Sequence, residues 1–174
     1  LLITRGVPGT HNVKKLINDI KKFDKSKFPI NTLLFDKLID DVLKEKKIVK
    51  TKADILILEG WCCGCNEISI EYLYKNINKL EKNYDYNYNW RNYYNYKLKN
   101  EYKELFNLFD LSIFMKAPSF KYVFNWRYKQ EVKNNSKSKY FKKMSIDEIE
   151  FFIQHFEKIT KWMIKDFNKK ANLV

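Results

Sequence analysis

Apolar residues recur along the chain in two kinds of block. One kind follows helical spacing. Val13, Leu16, Ile17 and Ile20 form a stripe that Thr10 is placed to cap. Trp90, Tyr94, Leu98, Tyr102, Leu105 and Phe109 form a second stripe, and Val123, Phe124 and Trp126 follow a capping Ser119. Ser145-Ile146-Asp147-Glu148 is a capping box that opens a long helix with Ile149, Phe152, Ile153, Phe156, Ile159, Met163 and Phe167 inward. The other kind is a short, continuous run. Ile55–Leu58, bounded by Asp54 and by Glu59-Gly60, suits a parallel strand covered on both faces. Asp110–Lys116 reads as a second strand stopped by Pro118, and Asn172-Leu173-Val174 as the start of a third. Phe28–Asp41 reads as an irregular loop around Pro29, and Asn134–Lys143 as a mobile, lysine-rich one. Strands separated by helices predict an α/β domain, a parallel sheet with flanking helices, spanning residues 1–174 as one unit.

Composition changes this picture in two places. The net charge of +13 invites an anionic partner, either nucleic acid or a small acidic substrate. Yet arginine appears only as Arg5, Arg91 and Arg127 among 34 basic residues, so each arginine marks a need for a planar, bidentate fork. Glycine is equally sparse. Its four copies fall in Thr4-Arg5-Gly6-Val7-Pro8-Gly9-Thr10-His11 and in Glu59-Gly60-Trp61-Cys62-Cys63-Gly64. Two glycine loops in a chain nearly without glycine are the first candidates for a site, because glycine admits positive φ and close approach of a ligand. No apolar run reaches the roughly 20 residues of a membrane helix, and no leader-like segment is visible, so a cytoplasmic location is expected.

Among single residues, Glu59 stands where a strand ends and a glycine turn begins, a position suited to a metal or reacting group. Cys62, Cys63 and Cys65 lack a fourth ligand at zinc spacing and read as structural thiols. His11 lies in the first glycine loop near Arg5, whereas His155 sits inside the long helix and reads as structural. The tyrosine-rich run Asn83–Lys97 offers rings on which single-stranded bases stack, or the exposed face of a helix. Neither G-x-x-x-x-G-K-[ST] nor G-x-G-x-x-G occurs.

Taken together, several segments resemble the D-glycerate 3-kinase-like P-loop kinases, relatives of uridine kinases and phosphoribulokinases. They are Thr4–His11, Phe35-Asp36-Lys37 with Asp40-Asp41, Leu58–Cys62, Ala117-Pro118-Ser119-Phe120, Trp126-Arg127 with Gln130-Glu131, Met144-Ser145 and His155-Phe156-Glu157. Phe35 and Val42 depart from the tyrosine and arginine common there. The resemblance implies a three-layer P-loop NTPase-like fold, truncated at both ends, with the phosphate loop and the general base upstream of Leu1. It also implies Mg-ATP as phosphoryl donor and a hydroxyl of a small organic acid, D-glycerate foremost, as acceptor. Glu59 would help hold Mg²⁺ through water, Gly60 and Arg127 would meet the nucleotide, and Arg5, His11, Asp36 and Lys37 would bind the acceptor. Glu59 and Arg127 are thereby the catalytic candidates. A nucleoside kinase and a non-catalytic, basic nucleic-acid-binding module remain as alternatives.

Overall fold

The computed structural model describes residues 1–36, 41–135 and 144–174. Helix α1 (Val13–Asp24) buries Val13, Ile17 and Ile20, the predicted stripe, but its cap is Asn12, whose side chain accepts from the Lys15 amide. Thr10 instead closes the first glycine loop on itself, accepting from the Gly6 amide and donating to the Val7 carbonyl. Strands β1 (Ile30–Asp36) and β2 (Asp41–Val49) follow, paired antiparallel from Ile30↔Val49 to Asp36↔Asp41. The segment expected to be an irregular loop thus contains a strand. Its partner β2, rich in lysine, lacks the apolar alternation by which strands are recognised.

The parallel sheet predicted from the apolar runs is not what forms, and with it the three-layer P-loop α/β/α assignment falls. The sheet among the described residues is the two-stranded antiparallel β1–β2. Residues Ile55, Leu56 and Ile57 belong to no strand or helix and are 77%, 50% and 82% exposed. A continuous apolar run states that a segment avoids water; it does not supply a hydrogen-bonding neighbour, and among the described residues no strand pairs with this one. The second and third predicted strands do meet in parallel, at the single bridge Ile113↔Leu173, where the Phe114 amide donates to the Leu173 carbonyl at 2.8 Å.

The other regular elements are helical. Short helices α2 (Ile70–Tyr74) and α3 (Lys79–Tyr84) lead into α4 (Asn89–Lys97), a π-helical segment Leu98–Tyr102 and α5 (Lys103–Phe106), one continuous rod. The π segment follows from the sequence. Buried positions Trp90, Tyr94, Leu98 and Tyr102 step by four, and at 3.6 residues per turn a straight α-helix would carry the last of them about 120° off the core face. A wider turn restores the alignment. Helix α6 (Lys121–Asn135) precedes α7 (Ile146–Lys165), whose capping box forms as expected between Ser145 and Glu148. Ile149, Ile153, Ile159 and Met163 face inward, with Phe167 in the short 3₁₀ turn that follows.

The core joins α1, the rod, α7 and the second glycine loop, where Cys62 and Cys65 are buried. It also encloses charge. Arg91 is fully buried, its Nε 2.8 Å from Asp85 and its other donors on the carbonyls of Leu73, Glu81 and Asp85. Lys158 donates to Glu81 at 3.2 Å and to the carbonyls of Tyr72, Leu73 and Lys75. Two cations and two carboxylates balance inside the protein. Among the described residues no helix is long and apolar enough to cross a membrane.

Candidate functional site

The two glycine loops touch. The Trp61 indole donates to the Gly6 carbonyl at 2.8 Å, and its ring meets Phe156 of α7 edge-on. Gly6 and Gly9 both adopt positive φ. At Gly9 a Cβ would lie 2.5 Å from the Tyr93 ring, so no larger residue fits there. The Gly9 amide donates to the Tyr102 hydroxyl at 3.3 Å, and the same oxygen lies 2.6 Å from Nδ1 of His11. One polar tip at the end of the π segment therefore fixes the loop's last turn.

Above this loop opens a cleft of about 1030 Å³. Its floor is apolar, from Leu16, Ile20 and Phe23 of α1, from Phe35 and Val42 of the hairpin, and from Ile55 and Leu56. The unpaired apolar run thus serves as a cleft wall. Arg5, His11, Lys15 and Arg127 bring nitrogen to the rim, and Asp19 is the carboxylate among the lining residues, ion-paired to Lys15. Such a rim suits an anion.

Each rim arginine is held over a ring. Arg5 lies 5.3 Å from the Phe35 centroid and pairs with Asp41 at 2.7 Å. Arg127 lies 4.7 Å from the Phe152 centroid, donates to Gln130 and pairs with Glu131, a fully buried carboxylate that also accepts from the Met144 amide. Stacking and pairing hold both forks in place before any ligand arrives. His11 has its pKa lowered, first by burial of the ring and then by the neighbouring Arg5 charge.

Of the predicted site residues, Arg5 and His11 of the first glycine loop and Arg127, distant from both in sequence, line one cleft. Phe35 and Val42, the two departures from the family pattern, line it as well. Asp36 ends β1 without lining it, and Lys37 lies outside the described residues. Glu59 and Gly60 are exposed in the second glycine loop and do not line the cleft. No group of three or more His, Cys, Asp or Glu residues converges on a metal position among the described residues. Burial pushes the Cys62 thiol up to about 12 and raises Cys63 and Cys65 too, as befits inert thiols. The tyrosine-rich run divides. Trp90 and Tyr94 are core, Tyr88 lies under Arg91, Tyr93 bonds the Gly9 carbonyl, and Tyr84, Tyr86 and Tyr96 are exposed.

Sequence reasoning missed Tyr102, which it placed in an apolar stripe, and Phe152 and Gln130 beside Arg127. The signal for Tyr102 was its four-residue step from Leu98 combined with a hydroxyl that burial obliges to find partners.

Compared with described protein families and with curated proteins, the chain matches none. Among solved structures, that of YGR205w protein resembles it at a TM-score of 0.70 with 24% identity over 95% of this chain. The chain spans 57% of that protein's length. At such identity the likeness is one of fold.

Proposed function

We propose that this chain forms the acceptor-binding part of an ATP-dependent kinase that phosphorylates a hydroxyl of a small organic acid, D-glycerate foremost. The observation that carries this reading is the convergence of Arg5, His11 and Arg127 on one cleft. A carboxylate would pair with the Arg5 fork, His11 would hydrogen-bond an acceptor oxygen, and Arg127 would face the transferred phosphoryl group. Phosphoryl transfer needs chiefly positioning and neutralisation of charge, and preset cations supply both.

ATP supplies the phosphoryl group and Mg²⁺ offsets its charge. The residues of this chain fit the metal only in an outer role. A magnesium ion bound mainly by phosphates and water takes one or two carboxylates, and Glu59 offers one, exposed beside Gly60. No G-x-x-x-x-G-K-[ST] lies within residues 1–174.

A nucleoside acceptor is the second reading, favoured by one observation. A cleft of about 1030 Å³ with Phe35 and Phe152 in its walls is far larger than a three-carbon acid. The product of the complete reading frame, assayed with ATP against hydroxy acids and nucleosides, is expected to phosphorylate glycerate. Turnover of uridine without glycerate would transfer the assignment to the second reading, and turnover of neither would overturn both. Glu59→Gln should lower kcat strongly with the fold intact.

A further inference from the structure

We propose that Tyr102 is a positioning residue that presets His11 as an Nε2–H donor toward an anionic oxygen in the cleft. The inference about the histidine is independent of the function proposed above; the identity of the oxygen, a substrate carboxylate, rests on it.

The Tyr102 hydroxyl has one proton to give and two lone pairs. It is 3% exposed, so both capacities must be met by the protein. The Gly9 amide at 3.3 Å can only donate to it. The partner left for its proton is Nδ1 of His11 at 2.6 Å. Burial raises the tyrosine pKa, so that proton is present at any physiological pH. Nδ1 therefore accepts, and in the neutral ring the hydrogen resides on Nε2. His11 lines the cleft while Tyr102 does not, so the Nδ1 edge faces the wall and Nε2 faces the cavity. The titratable and charged groups around this unit are Arg5 beside His11, and Cys62, Cys63 and Glu101 beside Tyr102.

The arrangement depends on the π segment. Its last residue is Tyr102, and the extra width of that turn brings the side chain to the glycine loop. The same rod holds the Gly9 peptide from its other side through the Tyr93 hydroxyl at 3.4 Å. The amide and the carbonyl of Gly9 are thus both indexed to one helix, which sets the height of His11 over the cleft floor.

The chain has only two histidines, and the second is an internal control. His155 Nδ1 lies 3.0 Å from the Phe152 carbonyl, an oxygen that can only accept, while its Nε2 faces the Thr4 hydroxyl at 3.3 Å. It must carry its hydrogen on Nδ1, the opposite tautomer. Nitrogen-15 spectra of the intact chain near neutral pH are expected to show one histidine of each kind. In Tyr102→Phe, His155 should be unchanged, while His11 becomes a mixture of tautomers and titrates at higher pH because a donor to Nδ1 is gone. The variant should also bind D-glycerate about tenfold more weakly, the usual effect of a lost charge-assisted hydrogen bond. An Nδ1–H tautomer for His11 in the unmodified chain, a measurement that needs no variant, would overturn the proposal. So would a His11 spectrum indifferent to Tyr102→Phe. If both spectral results hold and D-glycerate moves no His11 signal, the positioning role stands and the acceptor assignment fails.

Discussion

Arg91 and Arg5 are built from the same parts. Each guanidinium lies over an aromatic ring, 4.6 Å from Tyr88 in one case and 5.3 Å from Phe35 in the other. Each is also ion-paired to an aspartate, at 2.8 Å and 2.7 Å. What separates them is water. The Arg91 and Asp85 side chains are 0% and 2% exposed, those of Arg5 and Asp41 35% and 63%. Arg91 turns its remaining donors to three backbone carbonyls and the Glu81 carboxylate and has none left for a ligand. Arg5 stands at the cleft rim with a solvated partner that a substrate anion can displace at little cost. One residue type therefore makes a scaffold in one place and a binding group in the other, and the environment decides which.

The sharpest way to break this comparison is to remove the buried member. In Arg91→Met, Asp85 and Glu81 keep only Lys158 as a cation, inside a core that cannot hydrate them. Loss of one partner of a buried pair costs about 3–5 kcal/mol. Urea denaturation should show a fall of that size, large enough to leave a domain of ordinary stability partly unfolded. A change below about 1 kcal/mol would mean that water reaches the site, and that burial does not separate the two arginines.

Removing the exposed member should do the reverse. In Arg5→Ala the stability should change by no more than about 1 kcal/mol, the usual range for a surface pair. Binding of D-glycerate, followed by calorimetry, should weaken about tenfold. Arg5→Lys should recover only part of that, since an ammonium lacks the planar fork. Equal binding by all three proteins would remove Arg5 from the site.

The contrast also marks what a sequence can and cannot carry. The scarcity of arginine and glycine pointed to Arg5, Arg127 and the first glycine loop, and the cleft bears those residues on its wall. The longer helices were legible because capping and periodicity are local, as at Ser145 and Glu148, whereas the short α2 and α3 are too brief to show a period. The sheet was not, because strand pairing is a relation between distant segments. Ile55–Leu58 has the apolar character of a covered strand but pairs with no strand among the described residues, while the lysine-rich β2 pairs with β1 without a recognisable pattern. Arg91 stood apart in sequence as much as Arg5 did, and nothing local told that its neighbours in space would be Asp85, Glu81 and Lys158.

The smallest effect lies with the two histidines, and it tests whether burial rather than pairing governs titration here. Burial lowers both pKa values from the ordinary 6.5, with Arg5 adding to the effect at His11. The unfolded chain therefore takes up protons near pH 6.5 that the folded chain refuses until lower pH. Their contribution to stability is complete above that pH and is lost as the pH falls toward the lowered folded values. For His155, 5% exposed, the slope is bounded at about 1.4 kcal/mol per pH unit, the value for one proton. Glu81 works in the opposite sense, because burial raises its pKa and the folded state takes up its proton first. The informative quantity is thus the difference between the unmodified chain and His155→Gln, measured by urea denaturation from pH 8 to pH 5. The variant should be less stable at pH 8, having lost the contacts to Phe152 and Thr4, and the gap should narrow as the pH falls through 6.5. A gap constant across that range would show that His155 protonates in the folded protein as readily as in the unfolded one.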